Sequence, residues 1–289
     1  MRFGTFLVAA LFVLGGRMTC AESRHFKTSD GVLLHYEERG VGRVDSSRGS
    51  ILFVPGWTMP ASIWEPQLLH FAERYRVVAL DPRGQGDSAV APGGYTPERR
   101  ARDIAELIRA AGLQQPVIVG WSLGVLEALA YVQAHGDAAH AALVLVDNSV
   151  GEEPAPGGGK GPAFTTRLRQ DREKTVRGFV RSMYRSEQSE AYLQTIEAAS
   201  LKTPLEASVA LLSWHGPRTR WRDALYATTK PVLYVVTPAF ALQAANVARK
   251  RPDIRTEVFA QAGHALFVDE ATRFNAVLEQ FLATLPTAR

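Results

Sequence analysis

Near the middle of the chain a serine stands between two glycines, Gly120-Trp121-Ser122-Leu123-Gly124, where a short apolar run over 116–119 gives way to a helical stretch over 123–134. A G-x-S-x-G pattern at a strand-to-helix turn exposes the serine hydroxyl, because the glycines remove side chains that would collide with the adjoining strand and helix. The chemistry this suits is attack on a carbonyl carbon. The helix beginning beside Ser122 brings its dipole and the Leu123 N–H toward the oxygen on which negative charge develops. A serine hydroxyl also needs a base. His264 suits that role: it follows Gly263 in a loop between Val258-Phe259 and the terminal helical stretch, giving the chain order serine then histidine. The other histidines have plainer places, His25 and His35 on a hairpin, His70 on a helix, His135 and His140 at a helix exit, and His215 in an Arg-rich helical region. A second oxyanion donor is expected from the backbone N–H of Trp57, in Pro55-Gly56-Trp57 after the apolar run over 51–54. The alternative there is a tight turn with a packed aromatic. Trp57 and Trp121 are also the expected substrate contacts.

These residues need a frame that brings them together. Residues 24–39 read as a hairpin about Asp30-Gly31, and continuous apolar runs follow at 51–54, 77–80, 117–119, 142–146 and 232–236, with Val258-Phe259 after the last. Runs this uniform suit a parallel sheet buried on both faces. Helical stretches over 63–74, 97–111, 123–134, 239–251 and 270–285 alternate with them, which predicts a doubly wound α/β fold, a mostly parallel sheet flanked by helices. Between 149 and 229 the rhythm breaks. A Gly/Pro-rich stretch over 151–162 leads into amphipathic, Arg-rich helices without strand signal, read as a helical cap inserted in the sheet. The expected division is a core over 22–149 and 230–289 with a cap over 150–229.

With 46% hydrophobic and 21% charged residues the chain has ordinary globular composition, which excludes largely disordered, collagenous or heptad-repeat proteins. A net charge of +4 without a dense basic tract argues against nucleic acid as a partner. The single cysteine excludes a disulfide framework and a CxxC-type zinc site. Residues 1–21 read as a signal peptide: Arg2 precedes an apolar stretch over 3–16, too short to span a bilayer of ~30 Å, and Thr19-Cys20-Ala21 offers small residues for cleavage before Glu22. This predicts a periplasmic or secreted protein with no stable membrane insertion. The alternative is a start at Met18 and a cytoplasmic enzyme.

Taken together, Pro55-Gly56-Trp57, Asp81-Pro82-Arg83-Gly84-Gln85-Gly86-Asp87-Ser88, Gly120-Trp121-Ser122-Leu123-Gly124 and Gly263-His264-Ala265-Leu266-Phe267 resemble the α/β-hydrolase superfamily. Within it, the serine motif, Trp57 and the stretch over 164–184 are similar to carboxylesterases that cleave pimeloyl carrier-protein methyl ester. The resemblance implies a Ser-His-acid triad, no metal or organic cofactor, and hydrolysis of a small or medium acyl ester. Lactone, amide or carbon–carbon bond hydrolysis could run on the same residues, and a non-catalytic binding or sensor protein is the alternative outside enzymes. Two departures stand out. Pro55 occupies a position where relatives carry His, and it has no N–H to donate. No carboxylate follows the run over 232–236, where relatives usually place the acid; the chain reads Thr237-Pro238-Ala239-Phe240-Ala241. The acid is therefore assigned to Asp147, after the run over 142–146, which keeps the order Ser, Asp, His on one edge of a parallel sheet. The alternative is that Asp147 caps the loop at Asn148-Ser149. Between Lys160 and Arg185 eight basic residues face two acids. In the resembling carboxylesterases such a cap would suit an acidic carrier protein, a partner open only to a cytoplasmic protein; otherwise it is a solvated helix face. The sequence does not specify an oligomeric state.

Overall fold

The computed structural model describes residues 22–40, 49–155 and 163–286, so the expected signal segment and Lys160 lie outside the described residues. Eight strands form one sheet: β1 (Glu22–Lys27), β2 (Leu33–Arg39), β3 (Ser50–Val54), β4 (Arg76–Leu80), β5 (Val117–Trp121), β6 (Ala142–Val146), β7 (Val232–Val236) and β8 (Arg255–Val258). Their order is β1-β2-β4-β3-β5-β6-β7-β8. The hairpin at the start pairs antiparallel, β2 joins β4 antiparallel, and every pairing from β3 and β4 onward is parallel. Every residue of β3, β5, β6 and β7 is buried, because helices cover both faces, and this is why their sequences run apolar without alternation. β8, at the sheet edge, reads Arg255-Thr256-Glu257-Val258 and is only partly buried.

Helices α1 (Glu65–Phe71), α2 (Pro97–Ala110) and α3 (Leu123–His135) lie between the core strands up to β6. Five more, α4 (Phe164–Gln170), α5 (Arg172–Ser182), α6 (Glu190–Lys202), α7 (Leu205–Leu212) and α8 (Thr219–Ala227), fall between β6 and β7. After β7 come α9 (Ala241–Lys250), α10 (Leu266–Asp269) and α11 (Ala271–Leu282). Alternate strand residues serve opposite cores. Phe53, Val119 and Val144 pack with Trp64, Phe71 and Phe274, whereas Leu52, Ile118 and Leu145 pack with Ile104, Leu129 and Val247. The helix expected over 63–74 is shorter, a 3-10 turn at Ala61–Trp64 followed by α1, whose Pro66 suits only a first turn. α10 is an unforeseen single turn ahead of the terminal helix.

The basic tract on α4 and α5 meets acids contributed from elsewhere: Arg169 pairs with Glu206, Arg177 with Glu197, and Arg181 with Glu190 and Glu197. Among the described residues no helix is long and apolar enough to cross a membrane.

Candidate active site

β3 and β5 are neighbours, with Val54 opposite Gly120, so the segment after β3 and the turn after β5 emerge side by side. At that turn Ser122 has φ +53° and ψ −119°, a conformation an L-residue adopts only under constraint. The glycines permit it. A Cβ on Gly120 would strike the carbonyl oxygen of Gly124, and one on Gly124 the carbonyl oxygen of Val54. The Ser122 N–H donates to Val146 O at 2.9 Å, and Asn148 Nδ2 donates to Ser122 O at 2.7 Å, tying the turn to the end of β6.

Ser122, His264 and Asp147, drawn from three loops, meet in one hydrogen-bonded line. Ser122 Oγ lies 2.9 Å from His264 Nε2, and His264 Nδ1 lies 2.7 Å from Asp147 Oδ2. His264 is 28% exposed and Asp147 2%. A carboxylate only accepts, which places the imidazole proton on Nδ1 and leaves the Nε2 lone pair for the serine hydroxyl. The other carboxylate oxygen, Oδ1, accepts from the Thr237 N–H at 2.7 Å and from Thr237 Oγ1 at 2.8 Å. Thr237 follows β7, the place where a carboxylate was missing. A hydroxyl and a backbone N–H there hold the carboxylate of the neighbouring strand.

His264 sits in a loop fastened from two sides. Trp121, expected at the substrate, is fully buried; its Nε1–H donates to His264 O at 2.8 Å and its ring packs edge-on to Phe267. The expectation fails because the side chain at the last position of β5 packs in the core layer beneath His264. On the other side the 183–185 segment of the inserted helices leaves no room for a side chain on Gly263, and Met183 O accepts from the Ala265 N–H at 2.9 Å. The Asp269 carboxylate joins the two, accepting from the Gly263 N–H at 2.6 Å, the Arg185 N–H at 2.8 Å and the Ser186 N–H at 3.1 Å.

Gly56 lies against Ser122, since a Cβ there would come within 3.0 Å of the serine Cβ. Among the described residues neither the Trp57 N–H nor the Leu123 N–H donates to a protein acceptor. Buried Gln85 sets the direction of the first, donating through Nε2 to Gly56 O at 3.0 Å and Met59 O at 2.9 Å. In a trans peptide the N–H points opposite the C=O, so drawing the Gly56 carbonyl toward Gln85 turns the Trp57 N–H away from it. Gln85 Oε1 in turn accepts from Arg100 Nη2 at 3.0 Å, and Arg100 pairs with Glu127 of α3 at 2.6 Å. Burial pushes the Glu127 carboxyl up to about 6 against the opposing pull of Arg100. The Trp57 ring, the other expected substrate contact, is likewise buried, edge-on to Phe164 and Phe179 at 5.3 Å and 5.2 Å. A cavity of about 410 Å³ opens beside His264, between Phe179 and Met183 on one side and Pro238 and Phe240 on the other.

Gln85, Thr237 and Asp269 went unassigned in the sequence, and only Gln85 stood inside a recognised motif. One further cluster, His35, Asp81 and Asp87, has the donor spacing of a metal site. Its atoms are engaged within the chain: Asp81 accepts from His35 Nδ1, the Ala61 N–H and the Asp87 N–H, and Asp87 pairs with Lys202.

Residues 51–277 match the model of the Alpha/beta hydrolase family. The chain belongs to that family. As an α/β hydrolase it is 38% identical over 119 residues to a non-heme haloperoxidase of Rhodococcus erythropolis, a stretch covering 41% of each chain. It is 34% identical over 120 residues to a bifunctional esterase/perhydrolase of Acinetobacter calcoaceticus, covering 41% of this chain and 42% of the relative. These alignments thus span about two-fifths of the curated relatives. An esterase of Rhodococcus sp. ECU1013 shares the fold at TM-score 0.78, with 23% identity over 91% of this chain and 99% of that one. None of these three is a carrier-protein methyl esterase, so the finer resemblance draws no support from them.

Proposed function

We propose that this α/β hydrolase is a serine esterase acting on a small or medium acyl ester through Ser122, His264 and Asp147. The observation that carries the reading is the line from Asp147 Oδ2 through His264 to Ser122 Oγ, with bonds of 2.7 Å and 2.9 Å in the tautomer that leaves Nε2 basic. Ser122 Oγ attacks the ester carbonyl carbon as its proton passes to Nε2, and the charge on the carbonyl oxygen is met by the Trp57 and Leu123 N–H groups. Collapse breaks the bond to the leaving oxygen, which takes the proton from Nε2 and departs as the alcohol. Water then attacks the acyl-enzyme with Nε2 as base, releasing the acid and restoring Ser122. One such oxyanion donor is worth about 10² to 10³ in kcat in comparable enzymes.

The same steps would open a lactone or cleave an amide, and the leaving group is what separates these activities. A fluorophosphonate probe and p-nitrophenyl acetate test the reading together. Wild-type protein should label and turn over, while Ser122→Ala should do neither and keep its fold, since one hydroxyl at a half-buried turn contributes little packing. A wild type that neither labels nor turns over would favour a binding or sensor protein. We further propose that residues 1–21 direct export. Intact-mass analysis from the native host should find a chain beginning near Glu22, and a chain beginning at Met18 would revive an acidic carrier protein as partner.

A further inference from the structure

The inserted helices reach the oxyanion segment through two buried hydroxyls. Thr58, next after Trp57, has φ +58°, a left-handed conformation that a β-branched residue takes only with strain. Its Oγ1 lies 2.7 Å from the carbonyl oxygen of Trp57 and 2.6 Å from Oγ of Ser200 on α6. Thr58 is 0% exposed and Ser200 1%. Each hydroxyl has one proton and a carbonyl only accepts, so Thr58 donates to Trp57 O and Ser200 donates to Thr58. A second tie runs the other way, the Trp57 Nε1–H donating to Ser208 O of α7 at 2.8 Å. The two peptide units flanking the Trp57 Cα are thus gripped from opposite layers. The Gly56 carbonyl is held by Gln85 from the core, and the Trp57 carbonyl by the adjacent Thr58 hydroxyl, which Ser200 of the inserted helices holds in turn. Only φ and ψ of Trp57 lie between them, so a shift of the Trp57–Thr58 plane is passed to the Gly56–Trp57 plane, whose carbonyl Gln85 and the Met59 N–H hold. Strained backbone persists where its surroundings over-determine it, and here the surroundings include a residue 142 positions along the chain.

We infer that Ser200 and Thr58 are positioning residues through which the inserted helices aim the Trp57 N–H at the developing oxyanion. This rests on the reading of Trp57 as an oxyanion donor in an esterase. The pairing makes those helices part of the catalytic geometry as well as a cover over it.

The test uses the full chain and four variants. Ser200→Ala removes the donor on α6 and should lower kcat about tenfold with KM within about twofold, a fraction of what loss of a whole oxyanion donor costs. Affinity for a trifluoromethyl ketone, whose tetrahedral adduct places an oxyanion at the same point, should fall by the same factor. Thr58→Ser keeps the hydroxyl and should stay near wild type. Thr58→Gly relieves the backbone at φ +58° but leaves the buried Ser200 hydroxyl unpaired, so kcat and inhibitor affinity should both fall about tenfold whatever its Tm does; a merely structural role would lower Tm and leave inhibitor affinity unchanged. Wild-type kcat and inhibitor affinity in Ser200→Ala or Thr58→Gly would overturn the inference, as would a Thr58→Ser enzyme as poor as Thr58→Gly. Ser122→Ala, the fourth variant, separates the levels. If it keeps turnover, the reading of Ser122 as nucleophile fails and with it the oxyanion role of Trp57; if it is inactive while Ser200→Ala equals wild type, only the part given to the inserted helices fails.

Discussion

Asparagine at position 147 changes one oxygen to an NH₂ and, by the geometry of the site, reverses the direction of the whole hydrogen-bonded line. Oδ1 accepts from the Thr237 N–H at 2.7 Å, and Oδ2 faces His264 Nδ1 at 2.7 Å. A backbone N–H cannot become an acceptor, so the amide oxygen of Asp147→Asn must face Thr237 and its NH₂ must face the imidazole. That donor requires a lone pair on Nδ1, which moves the ring proton to Nε2, 2.9 Å from Ser122 Oγ, where the base should be empty. In a comparable triad this inversion costs about 10⁴ in kcat, or about 5 kcal/mol at 1.36 kcal/mol per tenfold. Because Asp147 acts through His264, KM should stay within about threefold. Steady-state turnover of p-nitrophenyl acetate measures both, with Asp253→Asn as control, an exposed partner of Arg251 whose loss should change kcat by less than about twofold. If Asp147→Asn keeps more than a tenth of wild-type kcat, the tautomer argument is wrong and His264 works with another carboxylate or with none.

Trp121→Phe keeps the ring against Phe267 but removes the N–H bonded to His264 O, so kcat should fall about tenfold with a stability loss of about 1 kcal/mol, read from kinetics and urea melts. Unchanged kcat would return Trp121 to packing alone. His140 is enclosed, and burial pulls its imidazole from 6.5 down to about 4, with Asp137 opposing the shift. The folded value lies below the unfolded one, so the unfolded chain takes up the proton first and stability is lost as pH falls through that window, by roughly 3 kcal/mol at its foot. Urea unfolding at pH 7 and pH 4 should therefore show a smaller loss for His140→Gln than for wild type, and equal losses would refute the assignment.

The strands that sequence patterns reveal are those buried on both faces. Ile51, Val117 and Val232 each begin or lie within runs that nothing polar interrupts, whereas Arg255-Thr256-Glu257 at the sheet edge carries no such signal and only Val258-Phe259 marked its place. Ser122 and His264 are legible for a similar reason, since neighbouring residues announce the turn and the loop that hold them. Gln85, Thr237 and Asp269 are not, because the backbone or carboxylate each engages lies 29, 90 or 84 positions away, with only Gly263 among the partners of Asp269 close in sequence, and residue type alone does not mark the pairing. Trp121 misleads because residue type suggests an aromatic contact while the direction of the last β5 side chain decides otherwise. The partners of the basic tract were out of view because its window stops short of Glu190, Glu197 and Glu206.

With Asp147 at the end of β6, the loop beyond β7 is relieved of carrying a carboxylate. What it must still supply to the acid is chiefly the N–H of residue 237, a backbone group that any residue but proline provides. The next residues, Pro238–Phe240, form a short turn along the cavity beside His264, and Leu242 just past them stands open to solvent. Mutational libraries confined to positions 238–240 can therefore remodel one wall beside His264 while Ser122, His264 and Asp147 keep their spacing, so the shape of the cavity and the hydrogen-bonded line can be varied separately in this chain.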